Sequence, residues 1–383
     1  MELQTKAAAP NKKIRVLVVD DSPLMRKIIT QILSQQADME VIATAAEGEE
    51  ALRKAHALQP DVITLDVEMP RMNGLEFLEA LMPENPMRVV MLSSLTTEGA
   101  ETTFACLQRG AIDFAVKPSK VSIDLKLADI SEEIVRKIRL ASVARLPRIS
   151  SAKRVEKTES ASPVVARRER AGLIEGVVEP KMVVVLASST GGPNALHELL
   201  PLLPPNLAIA YLLVQHLPAG FSRLFATRLN SVCALTVKEA VEGERPQVGT
   251  VLVAGGGRHI VLNSTGFLAF SDDPPLWGVC PAADVLMPTV AHFYKDSTVG
   301  VVLTGMGRDG SLGVKAIHAR GGYCIAQNEE TCVVYGMPKA AFETGCIDKV
   351  RPLKELASEL IRLYEERERQ RPPLLQSRLQ RAG

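Results

Sequence analysis

Short apolar runs recur through this chain at 14–19, 41–44, 62–65, 89–92 and 114–116, and again at 182–187, 208–215, 250–254 and 299–304, with amphipathic stretches between them. Most are apolar at successive rather than alternate positions, so as strands they need cover on both faces. A repeated order of strand and helix meets that need by laying helices on both sides of a parallel sheet, which predicts a doubly wound α/β architecture. In such a sheet the functional groups gather beyond the carboxyl ends of the strands.

The repetition lapses once. Residues 136–170 carry eleven Lys or Arg against three Glu, with scattered Ser, Ala and Pro and no sustained period. Their second half reads as a flexible basic tether. The 383 residues therefore divide into an N-terminal five-stranded, flavodoxin-like domain over 13–140, a linker over 141–180, a second α/β domain over 181–364, and a charged tail over 365–383 expected to fray. Ile130, Ile134 and Ile138, four apart, predict a last amphipathic helix on the first sheet.

A net charge of +1 leaves no whole-chain field for nucleic acid or an anionic membrane. The longest apolar runs fall far short of a bilayer span and 1–13 lacks a signal-peptide core, so a cytoplasmic protein without membrane insertion is expected. The six cysteines form no C-x-x-C pair and read as reduced thiols, mostly buried.

In the first domain one strand runs into Asp20 and Asp21, and another into Asp66. Three carboxylates at one sheet edge repel one another unless a cation bridges them, and hard oxygen ligands with room for water suit Mg²⁺. Asp20-Asp21-Ser22-Pro23 also reads as a helix start, but capping accounts for neither the second Asp nor Asp66. Ser93 and Lys117 end two further strands, and offer a hydroxyl and an ammonium to a phosphoryl group. Pro118 is a candidate for a cis bond.

The strings VLVVDDS, ITLDVEMPRMNGLEFL, MLSS and GAIDFAVKPS, in that order, resemble the receiver domain of two-component response regulators. The resemblance implies that Asp66 is the phosphoacceptor and that Asp20, Asp21 and Asp66 bind the metal with the Glu68 backbone carbonyl. It also implies that Ser93 and Lys117 sense the phosphoryl group, that Phe114 holds the aromatic switch position, and that a histidine kinase is the phosphodonor.

In the second domain the run 182–187 leads directly into Ser188-Ser189-Thr190-Gly191-Gly192-Pro193 and a helical stretch. A serine perched between strand end and helix start is exposed to free backbone N–H groups, which suit an oxyanion or a phosphate. No Walker lysine and no G-x-G-x-x-G supports a nucleotide loop, and no G-x-S-x-G is present. Among His197, His216, His259, His292 and His318, only His216 obviously ends a strand, whereas His197 and His318 read as helix-surface residues. Asp309, after a strand end and a glycine turn, supplies an orienting carboxylate or merely caps a helix.

SSTGGPNAL, LLVQHLPAGFSRLFATRLN, VLVAGGGRHIVL, VVLTGMGRDGSLG and VYGMPKAAFETG, behind a receiver, resemble the chemotaxis protein-glutamate methylesterases, the CheB family. The resemblance implies Ser189 as nucleophile, His216 as base, Asp309 as orienting acid, and the Met306 backbone with Thr190 as oxyanion and local support. The implied reactions are hydrolysis of glutamate γ-methyl esters on a methyl-accepting chemotaxis receptor and deamidation of selected glutamines, with no metal needed for hydrolysis. The unphosphorylated receiver would cover the active-site edge until Asp66 is phosphorylated. Val279-Cys280 stand where many members carry His-Arg, and Ala254-Gly255-Gly256-Gly257 lacks a frequent proline, so the substrate groove is expected to differ. Two other readings compete: a regulator whose second domain only binds a partner, and a transcription regulator using the basic linker, for which no helix-turn-helix pattern is present.

Overall fold

The computed structural model describes residues 12–94, 96–118, 127–146 and 179–370. Most of the expected linker, and the tail beyond Gln370, lie outside these residues.

The first domain alternates β1 (Ile14–Val19), α1 (Pro23–Ser34), β2 (Met39–Ala45), α2 (Gly48–Leu58), β3 (Val62–Asp66), α3 (Gly74–Glu84), β4 (Val89–Ser93), α4 (Thr97–Gln108), β5 (Asp113–Val116) and α5 (Leu127–Val143). Its five strands pair in parallel in the order β2-β1-β3-β4-β5. Alternate residues of β1 serve opposite layers. Val16 and Val18 pack with Ile29 and Leu33 of α1 and with Ile134 and Ile138 of α5, while Leu17 and Val19 join Phe77, Leu78 and Leu81 of α3. A strand buried on both faces is what the unbroken apolar runs required. Ser22 caps α1 by accepting the Met25 N–H at 3.3 Å, with Pro23 in the first turn, so the helix-start reading holds beside the acidic one.

The second domain contains β6 (Met182–Ser188), α6 (Gly192–Leu199), β7 (Ile209–Gln215), α7 (Ser222–Val232), β8 (Thr236–Glu239), β9 (Thr250–Val253), β10 (His259–Leu262) and β11 (Leu268–Ser271). It continues with α8 (Ala283–Tyr294), β12 (Thr298–Val302), α9 (Ser311–His318), β13 (Tyr323–Gln327), α10 (Met337–Phe342), β14 (Lys349–Arg351) and α11 (Leu356–Gln370). Seven of its strands form a parallel sheet in the order β14-β13-β12-β6-β7-β9-β8, and β10 and β11 make a separate antiparallel hairpin. Val183, Val185 and Ala187 of β6 meet Leu286, Met287 and Val290 of α8, whereas Val184 and Leu186 meet the α6 and α11 side.

Three features depart from expectation. Strands β8, β10, β11, β13 and β14 are short or carry polar residues, so their apolar runs do not stand out in the sequence. Helix α11 runs past Tyr364 to Gln370, where Glu368 bonds Lys181 at the start of β6, so the first part of the expected fraying tail is ordered helix. Among the described residues the cis peptide is Cys280–Pro281, not Lys117–Pro118.

The chain starts each sheet at an inner strand and builds outward in both directions, so a crevice opens where the direction reverses, at β1/β3 and at β6/β12. Both candidate sites lie there.

Candidate functional site

At the first crevice Asp20 and Asp66 are buried and Asp21 is exposed, with one carboxylate oxygen of each within 4.8 Å of the others. The Lys117 ammonium lies 2.9 Å from Asp20 Oδ2 and 2.5 Å from Asp66 Oδ2. Those two buried oxygens accept no well-directed hydrogen bond among the described residues, so one ammonium faces two carboxylates. Burial pushes Asp66 up to about 6 even against the pull of Lys117. Burial also opposes the charge on Lys117, but Asp66 and Asp20 outweigh it and hold the ammonium above its ordinary range. Hard oxygen donors left short of positive charge fit a divalent cation. The Glu68 N–H donates to Asp66 Oδ1 at 3.1 Å.

Ser93 and Phe114 lie on the neighbouring strands β4 and β5. The buried Ser93 hydroxyl donates to Gly99 O at 3.3 Å and accepts from Thr103 Oγ1 at 2.7 Å, both on α4. Next to Thr103, the Phe104 ring stacks on Phe225 of α7 at 5.3 Å, and the Phe114 ring lies 4.7 Å from that of Phe221. All four rings are buried. Asn194 Nδ2 donates to Leu107 O at 2.7 Å, and Arg228 bonds Gln108 at 2.6 Å. The receiver is therefore docked, α4 against α6 and α7, over an apolar core continuous with that of the second domain.

At the second crevice the strand ends of β6, β7 and β12 lie side by side. The two serines after β6 part company. Ser188 is fully buried and donates to Gln215 Oε1 at 2.7 Å, while Gln215 Nε2 donates to Ser189 O at 3.0 Å. The Ser189 hydroxyl makes no hydrogen bond among the described residues. Gly191 takes φ +78°, and a Cβ on Gly192 would collide with the Gln215 amide, so the paired glycines serve this tight turn rather than a nucleotide loop.

His216 follows β7, its N–H bonded to Ser188 O at 3.1 Å, and its Nε2 lies 2.8 Å from Asp309 Oδ2. Asp309 does cap a helix, but not its own: it accepts the N–H groups of Ala283 at 2.7 Å and Asp284 at 2.8 Å, the first turn of α8, while Gly310 caps α9. The helix terminus stabilises the buried carboxylate. No hydrogen bond joins Ser189 to His216 in this docked arrangement. Gly305 presses so closely that an added Cβ would stand 2.8 Å from Ser189 Cβ, which brings the following Met306 beside the serine. The N–H groups of Thr190, Gly191 and Met306 make no hydrogen bond among the described residues. The Thr190 hydroxyl is taken by Asp113 of the receiver, whose other oxygen lies 3.1 Å from the buried Lys137 ammonium.

The other histidines divide. His259 is a core residue whose Nδ1 accepts from the Ala282 N–H at 3.1 Å, His292 and His318 are exposed, and His197 is half-buried near the interdomain seam. Sequence reasoning missed Gln215, Asp113 and Asp284. Gln215 had a signal, being the polar residue directly before His216, whereas Asp113 and Asp284 acquire partners only through folding.

The chain matches the CheB methylesterase family over residues 184–360 and the response regulator receiver domain over residues 16–126. It is 44% identical over 358 residues, 92% of this chain and 94% of the relative, to the protein-glutamate methylesterase/protein-glutamine glutaminase of Pyrococcus abyssi. It is also 44% identical over 359 residues, 93% of this chain and 100% of the relative, to the protein of the same name from Geobacillus kaustophilus. The crystal structure of the Thermotoga maritima CheB methylesterase catalytic domain aligns with a TM-score of 0.47 and 41% identity, covering 49% of this chain and 100% of that chain. A receiver docked on a second α/β domain, together with identity at this level across nearly the whole length, places the chain in the protein-glutamate methylesterase/protein-glutamine glutaminase family.

Proposed function

We propose that this protein is a phosphorylation-activated serine hydrolase that removes methyl esters from glutamate side chains of methyl-accepting chemotaxis receptors and deamidates selected receptor glutamines. The observation that carries the reading is the His216–Asp309 pair, 2.8 Å apart, at the sheet edge where the Ser189 hydroxyl stands without a partner. Asp309 holds one protonated ring nitrogen, Nε2, and leaves Nδ1 to act as base. Ser189 Oγ attacks the side-chain carbonyl carbon while its proton passes to His216. The N–H of Met306, supported by Thr190, meets the oxyanion. Collapse breaks the bond to the methoxy oxygen or the amide nitrogen, and His216 returns the proton to the departing methanol or ammonia. Water then attacks the acyl-enzyme by the same route, freeing glutamate and restoring Ser189.

The docked receiver restrains this site. Asp113 holds the hydroxyl of Thr190, the immediate neighbour of Ser189. Asp20, Asp21 and Asp66, with the Glu68 carbonyl, would hold Mg²⁺, which would neutralise charge on the incoming phosphoryl group. Asp66 takes that group from a histidine kinase in the cytoplasm, and Lys117 pairs with its oxygens. A Ser93 hydroxyl turned toward the phosphoryl group gives up Gly99 and Thr103 of α4. Phe104 and Phe114 then lose their support and the docked population falls. Methanol release from methylated receptor tests the reading: Ser189→Ala should abolish it and Asp66→Asn should remove its response to phosphodonor. Retained release by Ser189→Ala would sink the proposal.

A further inference from the structure

Beside the candidate site stands a tryptophan that the reaction does not use. Leu276 and Val279 exchange both backbone hydrogen bonds at 3.1 Å, and between them Trp277 and Gly278 take φ +57° and +75°, the pattern of a tight two-residue hairpin. Glycine adopts that conformation freely, but a bulky side chain does so only when something holds it. Here the indole N–H donates to Asp284 Oδ2 at 2.8 Å. Asp284 is itself buried, accepts the Gly313 N–H at 2.7 Å, and through its own N–H holds Asp309 Oδ1. One residue thus fixes both the orienting acid and the hairpin tip.

The residue so held is 44% exposed, and the Arg308 guanidinium lies 5.1 Å from the centre of its ring. Arg308 directly precedes Asp309, and with Trp277, Leu312, Lys315 and Glu343 it lines a groove of about 250 Å³. Of the nine large apolar side chains exposed among the described residues, Trp277 and Leu312 line this groove, and Met306 and Phe342 belong to the segments that form it. Exposed apolar surface of this kind, rimmed by charge and tied through Asp284 to the orienting carboxylate, marks a contact surface.

We propose that Trp277 is a specificity-determining residue for the protein substrate, an inference that rests on the methylesterase reading. Its ring and Leu312 receive the apolar side of the segment flanking the reacting glutamate, while Arg308 and Lys315 favour acidic neighbours on that segment.

The test uses the full chain activated with acetyl phosphate and Mg²⁺. The probes are two peptides bearing one glutamate γ-methyl ester, flanked by glutamates in one and glutamines in the other, and a small fluorophosphonate that labels Ser189 and needs no peptide groove. The unsubstituted protein should prefer the acidic peptide. In Trp277→Ala, kcat/KM for that peptide relative to the labelling rate should fall about tenfold, mainly through KM. Arg308→Gln, a change at an exposed side chain, should erase the preference between peptides whether or not the tryptophan variant folds. Methanol release by the unsubstituted protein that neither variant alters relative to labelling overturns this inference alone. Labelling of the unsubstituted protein without methanol release from either peptide overturns the methylesterase reading and this inference with it.

Discussion

Replacing Phe225 by Ala should loosen the receiver from the catalytic domain. In the docked arrangement the ring is 2% exposed and stacks on Phe104 at 5.3 Å with the planes 26° apart. Burying a phenylalanine stabilises by about 1.5–3 kcal/mol, and a ring pair adds about 0.5–1.5 kcal/mol. Because Phe225 stands on α7 and also packs on its own domain, only part of that total belongs to docking. A share of about 2 kcal/mol corresponds to roughly thirtyfold in the ratio of docked to undocked molecules. The assay is methanol release from methylated receptor with and without phosphodonor. Without phosphodonor the variant should run about tenfold or more faster than the parent, bounded by the parent's phosphorylated rate, and its stimulation should shrink to match. Linkage demands a reciprocal effect, so beryllofluoride affinity at Asp66 should rise by the same factor as undocking. A folded variant, with the parent's melting temperature, whose unphosphorylated rate stays within about twofold of the parent's would refute the reasoning.

Gly305→Ala would drive a methyl group against Ser189 Cβ, so kcat should drop by about a hundredfold while melting temperature shifts modestly, and an unchanged kcat would show that the loop gives way. Asp284 carries a pH signature: burial, ahead of every other influence, pushes its pKa up to about 6, above the unfolded value near 3.9. Between those values the folded state holds a proton that the unfolded chain has released, so stability from this group is full at low pH and is lost as pH rises through about 6. The melting-temperature deficit of Asp284→Asn against the parent should therefore be smaller at pH 8 than at pH 5, and an equal deficit at both would contradict the shift.

Much of the architecture was legible because it is periodic. The runs of β1, β3, β4, β6, β7, β9 and β12 are apolar on both faces, which only a covered parallel sheet accommodates. Their end residues, Asp20, Asp66, Ser93, Ser188 and Gln215 followed by His216, could be read as chemistry because sheet topology sends every such end to one edge. Strands β8, β13 and β14 escaped notice because pairing, not composition, makes them strands. The fraying expected from Glu365 onward failed for a related reason: charge density says nothing of the partner Lys181 offers to Glu368.

What the sequence by itself determined was a set of candidate groups and the strands that most of them follow, since local order along the chain carries both. Tertiary structure alone decided which groups are free to act, through contacts between residues far apart in the chain. Gln215 occupies Ser188 and leaves the Ser189 hydroxyl open. The terminus of α8 holds Asp309 in place for His216. Asp113, 77 residues before Thr190, reaches across the domain boundary to take its hydroxyl. Hydrogen bonds of this kind depend on distance and direction in space, which no local pattern of residues encodes.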